Sequence, residues 1–320
     1  MTSTQIEVQL EQHRAELTGY CYRMLGSAFE AEDAVQDTLV RAWRSYDRFE
    51  GRAALRSWLY KIATHVCLDM LGSAQRRARP MDLRPIGSGH ATDPGEPLPE
   101  DVWLGPIPDS RVLPEGTDPA NVVASRESIR LAFVAALQKL PPKQRAVLIL
   151  REVLAWSAQE VAELLDTSVP SVNSALQRAR ATLSAAEPAA DVYRPLDDEQ
   201  KALLSRYVKA FEAYDMSALT ALLLEDATLS MPPLPLWMRG PDEIVAWMTG
   251  TGSVCRGSRL VPVVANGMPA FGQYHISADG GYDPWALITL ELSDGRIASQ
   301  TFFLDTARLF PLFGLADRLG

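Results

Sequence analysis

The sequence predicts a multi-domain chain: two all-α modules in succession, then an α+β domain. Three observations predict it. Apolar residues recur at helical spacing, between cap residues, over 4–71 and again over 121–187. Between those segments, 81–120 is too rich in proline, glycine and acid to hold a stable helix. From Asp197 onward, helical stripes give way to short extended runs separated by turn dipeptides. The expected domains are therefore 1–80, a linker over 81–120, 121–187, a short linker over 188–196 marked by Pro188 and Pro195, and 197–320.

Residues 4–25 read as helix, with Gly26 as the stop and Ser27 as the cap of the next helix. That second helix runs from about Ala28 to Tyr46. Val35, Leu39, Ala42, Trp43 and Tyr46 form its apolar stripe, and Glu30, Glu32, Asp33, Gln36, Asp37, Arg41 and Arg44 its polar side. A third helix follows the Phe49–Leu55 segment and ends near Leu71. Leu55, Trp58, Leu59, Ile62, Ala63, Val66, Cys67 and Met70 line its core face. Arg56, Tyr60, Lys61 and Thr64 face the other way, with His65 at the edge. The basic cluster Gln75-Arg76-Arg77-Ala78-Arg79 closes the module. In the linker, Trp103 and Leu104 stand out. An apolar pair in a polar stretch docks on something, within the chain or on a partner.

The second module reads as helix from Asn121 to Leu140, then Lys143 to Arg151 after Pro141-Pro142, then Ser157 to Leu183. Ser157 and Glu160 form a capping box, and Val161, Leu164 and Leu165 give one apolar face. Asp166-Thr167-Ser168 interrupts this helix. Ser168 caps another, whose first turn tolerates Pro170. Val172, Ala175, Leu176, Ala179 and Leu183 share one stripe of it. Ser171, Ser174, Gln177 and Arg178 occupy the opposite face, flanked by Asn173 and Arg180. This is a helix-turn-helix whose second helix exposes short polar and cationic side chains, suited to phosphates and base edges in a major groove. An ordinary helical hairpin with a solvated face gives the same local pattern.

In the last domain, Asp197 to about Met216 is amphipathic, with Leu203, Leu204, Tyr207, Val208 and Phe211 on its stripe. Short helices at Ala218–Leu224 and from Pro241 through Met248 precede extended runs at Arg259–Ala265, Ala270–Ile276, Pro284–Leu292 and Arg296–Phe303. Asp294-Gly295 is a hairpin signal, and Asp279-Gly280-Gly281 a looser one. A curved antiparallel sheet on helices follows, and a cone of that kind encloses an apolar pocket.

Apolar residues make up 47% of the chain, enough for real cores. No apolar run approaches the roughly 20 residues of a membrane span, and the N-terminus lacks a basic start and apolar stretch, so a cytoplasmic protein is expected. Cys21, Cys67 and Cys255 are odd in number and far apart, as buried thiols would be. A Gly-rich phosphate loop and a Cys/His cluster are absent, so neither cofactor nor metal is expected. The net charge of −9 argues against a nucleic-acid partner until its distribution is read. Residues 1–80 hold 11 cationic against 10 acidic residues and 121–190 hold 8 against 6, while 81–120 hold 2 against 8 and 191–320 hold 10 against 16. The two helical modules are near neutral. DNA affinity must come from local basic faces, and alone the chain should bind DNA weakly.

The segments FEAEDAVQDTLVRAWRSYDRFEGRAALRSWLYKIATHVCLDML and LQKLPPKQRAVLILREVLAWSAQEVAELLDTSVPSVNSALQRARATL together resemble regions two and four of the bacterial sigma-70 family, extracytoplasmic-function group. They occur in the family's order and separation over about half the chain. DATLSMPPLPLWMRG, LSDGRIASQTFFLD and LFPLFGL resemble a SnoaL-like domain of the nuclear-transport-factor-like (NTF2-like) cone fold, and WLGPIPD in the linker fits the SigG-like subgroup that carries such a domain.

The resemblance implies a sigma factor that binds core RNA polymerase through its β′ and β subunits, recognises promoter DNA and helps melt the start site, with no bond chemistry of its own. It implies polymerase docking at Asp33, Gln36, Asp37, Arg41 and Trp43, although the ring of Trp43 reads as core. It places Arg56, Trp58, Lys61, Thr64, His65 and Asp69 in the segment that opens and reads the minus-ten element. Cations there hold the backbone, and a flipped base needs stacking and hydrogen-bonding groups. Trp58 lies on the apolar stripe and reads as structural. His65 stands where the family often carries asparagine. Ser171, Ser174, Gln177, Arg178 and Arg180 would read the minus-thirty-five element, with Arg178 suited to guanine and Arg180 to phosphate. The linker would thread toward the polymerase active centre.

A monomer is expected when free, with an anti-sigma factor or small ligand as open questions. Two rivals stand beside this reading. The cone could be a cyclase or isomerase, or a small-molecule sensor, with Trp237, Trp247, Tyr274, His275, Asp283 and Trp285 as pocket candidates. Alternatively the chain could be a stand-alone helix-turn-helix regulator, which leaves residues 28–71 without a purpose.

Overall fold

Where the sequence suggests one helix over 4–25, the computed structural model has two: α1 (Ser3–Glu11) and α2 (Arg14–Leu25). Their burial differs. Val8 of α1 is exposed, whereas every residue from Leu17 to Leu25 is buried, so α2 sits at the centre of its unit and α1 on the outside. The structure describes residues 3–49, 54–72, 77–113, 126–184 and 197–320. These divide into two units, Met1–Arg77 with Leu104–Ala190 and Ala78–Trp103 with Asp191–Gly320.

In the first unit, Gly26 ends α2 with φ +76°, a left-handed conformation in which a side chain is strained, and Ser27 caps α3 (Ala28–Ser45) by accepting from the Glu30 amide. The helix α4 (Leu55–Leu71) packs on α2 and α3. Helices α5 (Leu131–Gln138) and α6 (Pro142–Leu148) follow, α6 ending in a π turn over Ile149–Val153. Then come α7 (Ala158–Leu164) and α8 (Val169–Ser184). Residues 121–125 of the expected Asn121–Leu140 helix, with Gln75 and Arg76 of the basic cluster, lie outside the described residues. Arg77 of that cluster is buried and pairs with Glu30 at 2.6 Å rather than forming an exposed patch.

In the second unit, Asp197 and Gln200 cap each other at the start of α9 (Asp198–Glu212). That helix stops short of Met216 because Tyr214 takes φ +54° and Asp215 caps α10 (Met216–Ala221). The expected helix over Ala218–Leu224 ends early, and the leucine run continues as strand β1 (Leu223–Ser230). After β2 (Trp237–Arg239) and α11 (Pro241–Thr249) come β3 (Arg259–Ala265), β4 (Met268–Ile276), β5 (Tyr282–Ser293) and β6 (Arg296–Phe303). The sheet order is β2-β1-β6-β5-β4-β3. It is mixed rather than antiparallel, because β1 pairs parallel with β6. Asp294 and Gly295, at φ +50° and +68°, make the β5–β6 hairpin turn, as their dipeptide predicts. Helix α12 (Thr306–Leu312) packs on β5.

The segment expected as a free tether departs from that expectation. Gly87 donates to the Trp237 carbonyl at 2.8 Å, the Trp237 indole donates to the Arg84 carbonyl at 2.8 Å, and Leu98 donates to Pro233 at 3.0 Å. The Gly89 amide donates to the Glu243 carboxylate at 2.5 Å, and Thr251 donates to the Ala91 carbonyl. Residues 84–98 are thus a strap on the cone. Its polar backbone finds partners there that a proline-rich chain cannot supply to itself. Residues 104–113 instead pack on α2 and reach α3: Tyr22 donates to the Gly105 carbonyl, Gly105 to that of Gly26, and Arg111 pairs with Glu32 of α3. Trp103 and Leu104 are both buried, one in each unit, as an apolar pair in a polar stretch predicts.

Candidate nucleic-acid interface

The helix-turn-helix forms as its caps predict. The Ser157 hydroxyl accepts from the Glu160 amide, and the Glu160 carboxylate accepts from the Ser157 amide. Asp166 adopts φ +49° in the turn, a conformation that aspartate and asparagine tolerate, and Ser168 accepts from the Ser171 amide to start α8. Val172, Leu176 and Ala179 are buried against the rest of the module. Burial of Val172 and Leu176 contributes about 2 kcal/mol each, enough to fix the helix by that row. Ser171, Ser174, Gln177, Arg178 and Arg180 are all exposed on the remaining surface. Arg178 donates to the Ser174 hydroxyl at 2.7 Å, and Arg180 pairs with Glu152 at 2.6 Å. Each guanidinium is thus held by a neighbouring side chain of the same module.

The candidate minus-ten residues on α4 divide. His65 and Asp69 are exposed, and the His65 ring sits 2.7 Å from the Lys61 carbonyl. Trp58 is half-buried, stacked on Phe49 at 4.9 Å and edge-on to Tyr46, a structural aromatic cluster. Thr64 is fully buried and bonded to Tyr20 and to the Tyr60 carbonyl, so it does not reach an exposed face. Tyr60 is fully buried as well, with its ring 5.2 Å from those of Tyr20 and Trp156. Both corrections have one cause: α4 is covered on a second side, by α2 and by the second module, and a single-helix stripe cannot show that. Burial pushes the Tyr60 phenol far above its ordinary pKa. Arg56 pairs with Glu16 at 2.7 Å and lies 5.1 Å from the Tyr60 ring and 5.7 Å from that of Trp156. Lys61 pairs with Asp166 at 2.7 Å and holds that carboxyl below its usual range.

On α3, Asp33, Gln36 and Arg41 are exposed, Asp37 is half-exposed and pairs with Arg41 at 2.8 Å, and Trp43 is 48% exposed. The ring of Trp43 is therefore not core. The buried row of α3 is Ala31, Ala34, Val35, Thr38, Leu39 and Ala42, and Trp43 falls one position round from it. Val40 is exposed on the same helix, so acids, an arginine and two apolar side chains share a surface.

In the cone, His275 and Trp285 stack at 4.2 Å, and β4–β5 pairing sets Asp283 opposite His275. Burial lowers the His275 pKa. The other candidates lie elsewhere. Tyr274 packs on Phe310 and donates to the Ala316 carbonyl. Trp247 lies in the apolar core, and Trp237 is on β2, at the far edge of the sheet from β4. A cavity of about 20 Å³ lined by Phe211, Leu219, Leu229, Ile244, Met248 and Gln300 holds no more than a water. Cys21, Cys67 and Cys255 are buried free thiols, as their spacing predicts. No described helix is long and apolar enough to cross a membrane.

Sequence reasoning missed Trp156, Asp166, Glu16 and the strap. A tryptophan just before the Ser157 cap was the one signal available; the rest are long-range contacts.

Residues 10–77 match the Sigma-70 region 2 family, 130–183 the Sigma-70 region 4 family, and 204–300 the SnoaL-like domain. Over 315 residues the chain is 45% identical to the ECF RNA polymerase sigma factor SigG of Mycobacterium tuberculosis, covering 97% of this chain and 83% of that protein. It is 30% identical over 248 residues to SigJ of the same organism, covering 76% and 72%. The crystal structure of Mycobacterium tuberculosis SigJ shares the fold, with a TM-score of 0.58 at 22% identity over 98% of this chain and all of that one. Two helical modules in this order and 45% identity to a sigma factor over 97% of the chain agree: the chain belongs to the extracytoplasmic-function RNA polymerase sigma factors.

Proposed function

We propose that the chain directs core RNA polymerase in the cytoplasm to a promoter subset, with α3 docking on β′ through Asp33, Gln36, Asp37, Arg41 and Trp43. Helix α4 meets the minus-ten element through Arg56, Lys61, His65 and Asp69. Helix α8 reads the minus-thirty-five element in the major groove. The observation that carries this is the exposed row Ser171, Ser174, Gln177, Arg178 and Arg180, set opposite a buried row on the same helix. Arg178 suits a bidentate guanine contact and Arg180 a phosphate.

Run-off transcription with purified core polymerase on genomic promoter fragments tests it. Arg178→Ala should cut promoter-specific output about ten- to hundredfold and relax preference at one base pair. Arg180→Ala should weaken all promoters alike and flatten the salt dependence. Specific binding to a palindromic site without polymerase would sink the proposal.

The cone is read as a regulatory domain that catalyses nothing. Its apolar interior and the scattering of Trp237, Trp247 and Tyr274 away from His275 support that reading. A cyclase, isomerase or small-molecule sensor would need a ligand-sized space. A thermal-shift screen of the full chain against polycyclic aromatic ketones that raised its Tm would favour that alternative.

A further inference from the structure

We propose that His65 selects the base met by α4: its ring offers one hydrogen-bond acceptor, Nε2, which favours adenine or cytosine over guanine or thymine at one position of the minus-ten element. This rests on the minus-ten reading of α4 proposed above and adds which base chemistry that face accepts.

One contact carries the assignment. His65 Nδ1 lies 2.7 Å from the Lys61 carbonyl oxygen, one turn back on α4. A carbonyl oxygen only accepts, so the hydrogen of that bond is on Nδ1. The oxygen has two lone pairs, one for the helical amide and one for the ring. A neutral imidazole carries a single N–H, so Nε2 is left with a lone pair and no hydrogen. The contact lies within the helix and fixes the ring whatever else packs on α4. His65 is exposed, and Nε2 is its distal nitrogen, the one a base can approach. The other α4 candidates are less able to tell bases apart. Arg56 and Lys61 are cations paired with Glu16 and Asp166, and the pull of a cation on phosphate does not depend on the base. Asp69 is a carboxylate 3.8 Å from Arg41, and its charge opposes a phosphate backbone. Thr64 is buried, and Trp58 stacks on Phe49.

A base in a melted strand shows its exocyclic groups unpaired. Adenine N6 and cytosine N4 are amino groups that donate, whereas guanine O6 and thymine O4 are carbonyls that accept. Nε2 bonds either amino group. Against either carbonyl, two lone pairs face each other and no bond forms. The expected discrimination is that of one hydrogen bond at an exposed position, about three- to tenfold. Its signature is distinctive, because it groups one purine with one pyrimidine. Neither ring size nor stacking strength does that.

Two measurements test it. The first is made on the full chain without DNA. The chain has four histidines, so ring nitrogen resonances can be assigned by substituting each in turn. Nitrogen NMR should show the hydrogen of the unprotonated His65 ring on Nδ1, and a hydrogen on Nε2 instead overturns the proposal. The second uses holoenzyme assembled from core polymerase and the full chain. On a mapped promoter, each minus-ten position of the non-template strand is changed to all four bases, and the rate of open-complex formation is read. At one position adenine and cytosine should outrun guanine and thymine by about three- to tenfold. His65→Ala should level that position and leave the ranking at the others. His65→Arg, which only donates, should reverse it in favour of guanine and thymine. Its added charge speeds all four bases alike, so the ratio between them reports the hydrogen bond and not electrostatics or folding. A parent preference for guanine and thymine, as a doubly protonated ring would give, overturns the proposal, and so does an amino preference that survives His65→Ala. If no minus-ten substitution alters the rate, the minus-ten reading of α4 fails and this proposal with it, a result distinct from the NMR, which reads the ring alone.

Discussion

Arg145→Met should destabilise the first unit by about 3–5 kcal/mol, read as a fall in the denaturation midpoint of the full chain. Arg145 is fully buried yet cationic, and its guanidinium serves the carbonyls of Met24, Gln138 and Leu140 and the Gln138 side chain. Methionine matches much of its volume, so the packing term is small and the cost comes from stranded acceptors. Each buried carbonyl without a donor costs about 1–3 kcal/mol, and some of these will find water, which sets the range. A change below about 1 kcal/mol would mean that water reaches them all.

Gly89→Ala should detach the strap. A Cβ at Gly89 would sit 1.9 Å from the Glu243 carbonyl oxygen and 3.0 Å from the Trp247 amide nitrogen. Both are helix backbone and cannot move as a side-chain tip can. Overpacking of this kind costs about 1–3 kcal/mol or more, comparable to what holds a short surface segment in place. Hydrogen exchange at Gly87, Ala91 and Leu98 should accelerate about tenfold or more, with the sheet amides unchanged. If the cone regulates through this strap, transcription by Gly89→Ala should differ from that of the parent, and equality would leave the cone without that role.

The strap also carries a pH dependence. The Gly89 amide, with help from Ser88, holds the Glu243 carboxyl below its ordinary pKa. A depressed carboxyl contributes stability above its unfolded value and loses it as pH falls through the folded one. Protection of the strap should therefore be flat near neutrality and fade below about pH 4, with Glu243→Gln fading less.

The parts legible in the sequence were those decided within a few residues. Ser27, and Ser157 with Glu160, cap the helices they announce, because a cap needs only the next turn. The exposed row of α8 was legible for the same reason. Parts decided by distant chain were not. Leu222-Leu223-Leu224 reads as helix or strand alike, and β1 is a strand because β6, about seventy residues on, pairs with it. Tyr60 and Thr64 sit at helical positions suited to solvent, and only α2 and Trp156 make them core. Glycine, serine and proline over 84–98 read as loose tether because the acceptors that hold them lie in Pro233, Trp237 and Glu243.

The assignment of residues 78–103 to the same unit as 191–320 bears on heredity and on chimeras. The C-terminal domain is no detachable tail: one of its pieces is encoded between the two promoter-reading modules. A gene fusion or recombination event that carried only the last third of the chain would transfer a domain missing its own edge, and would leave the donor with a stretch of backbone stripped of its acceptors. The two pieces have to be exchanged together, so among relatives their sequences should vary in step.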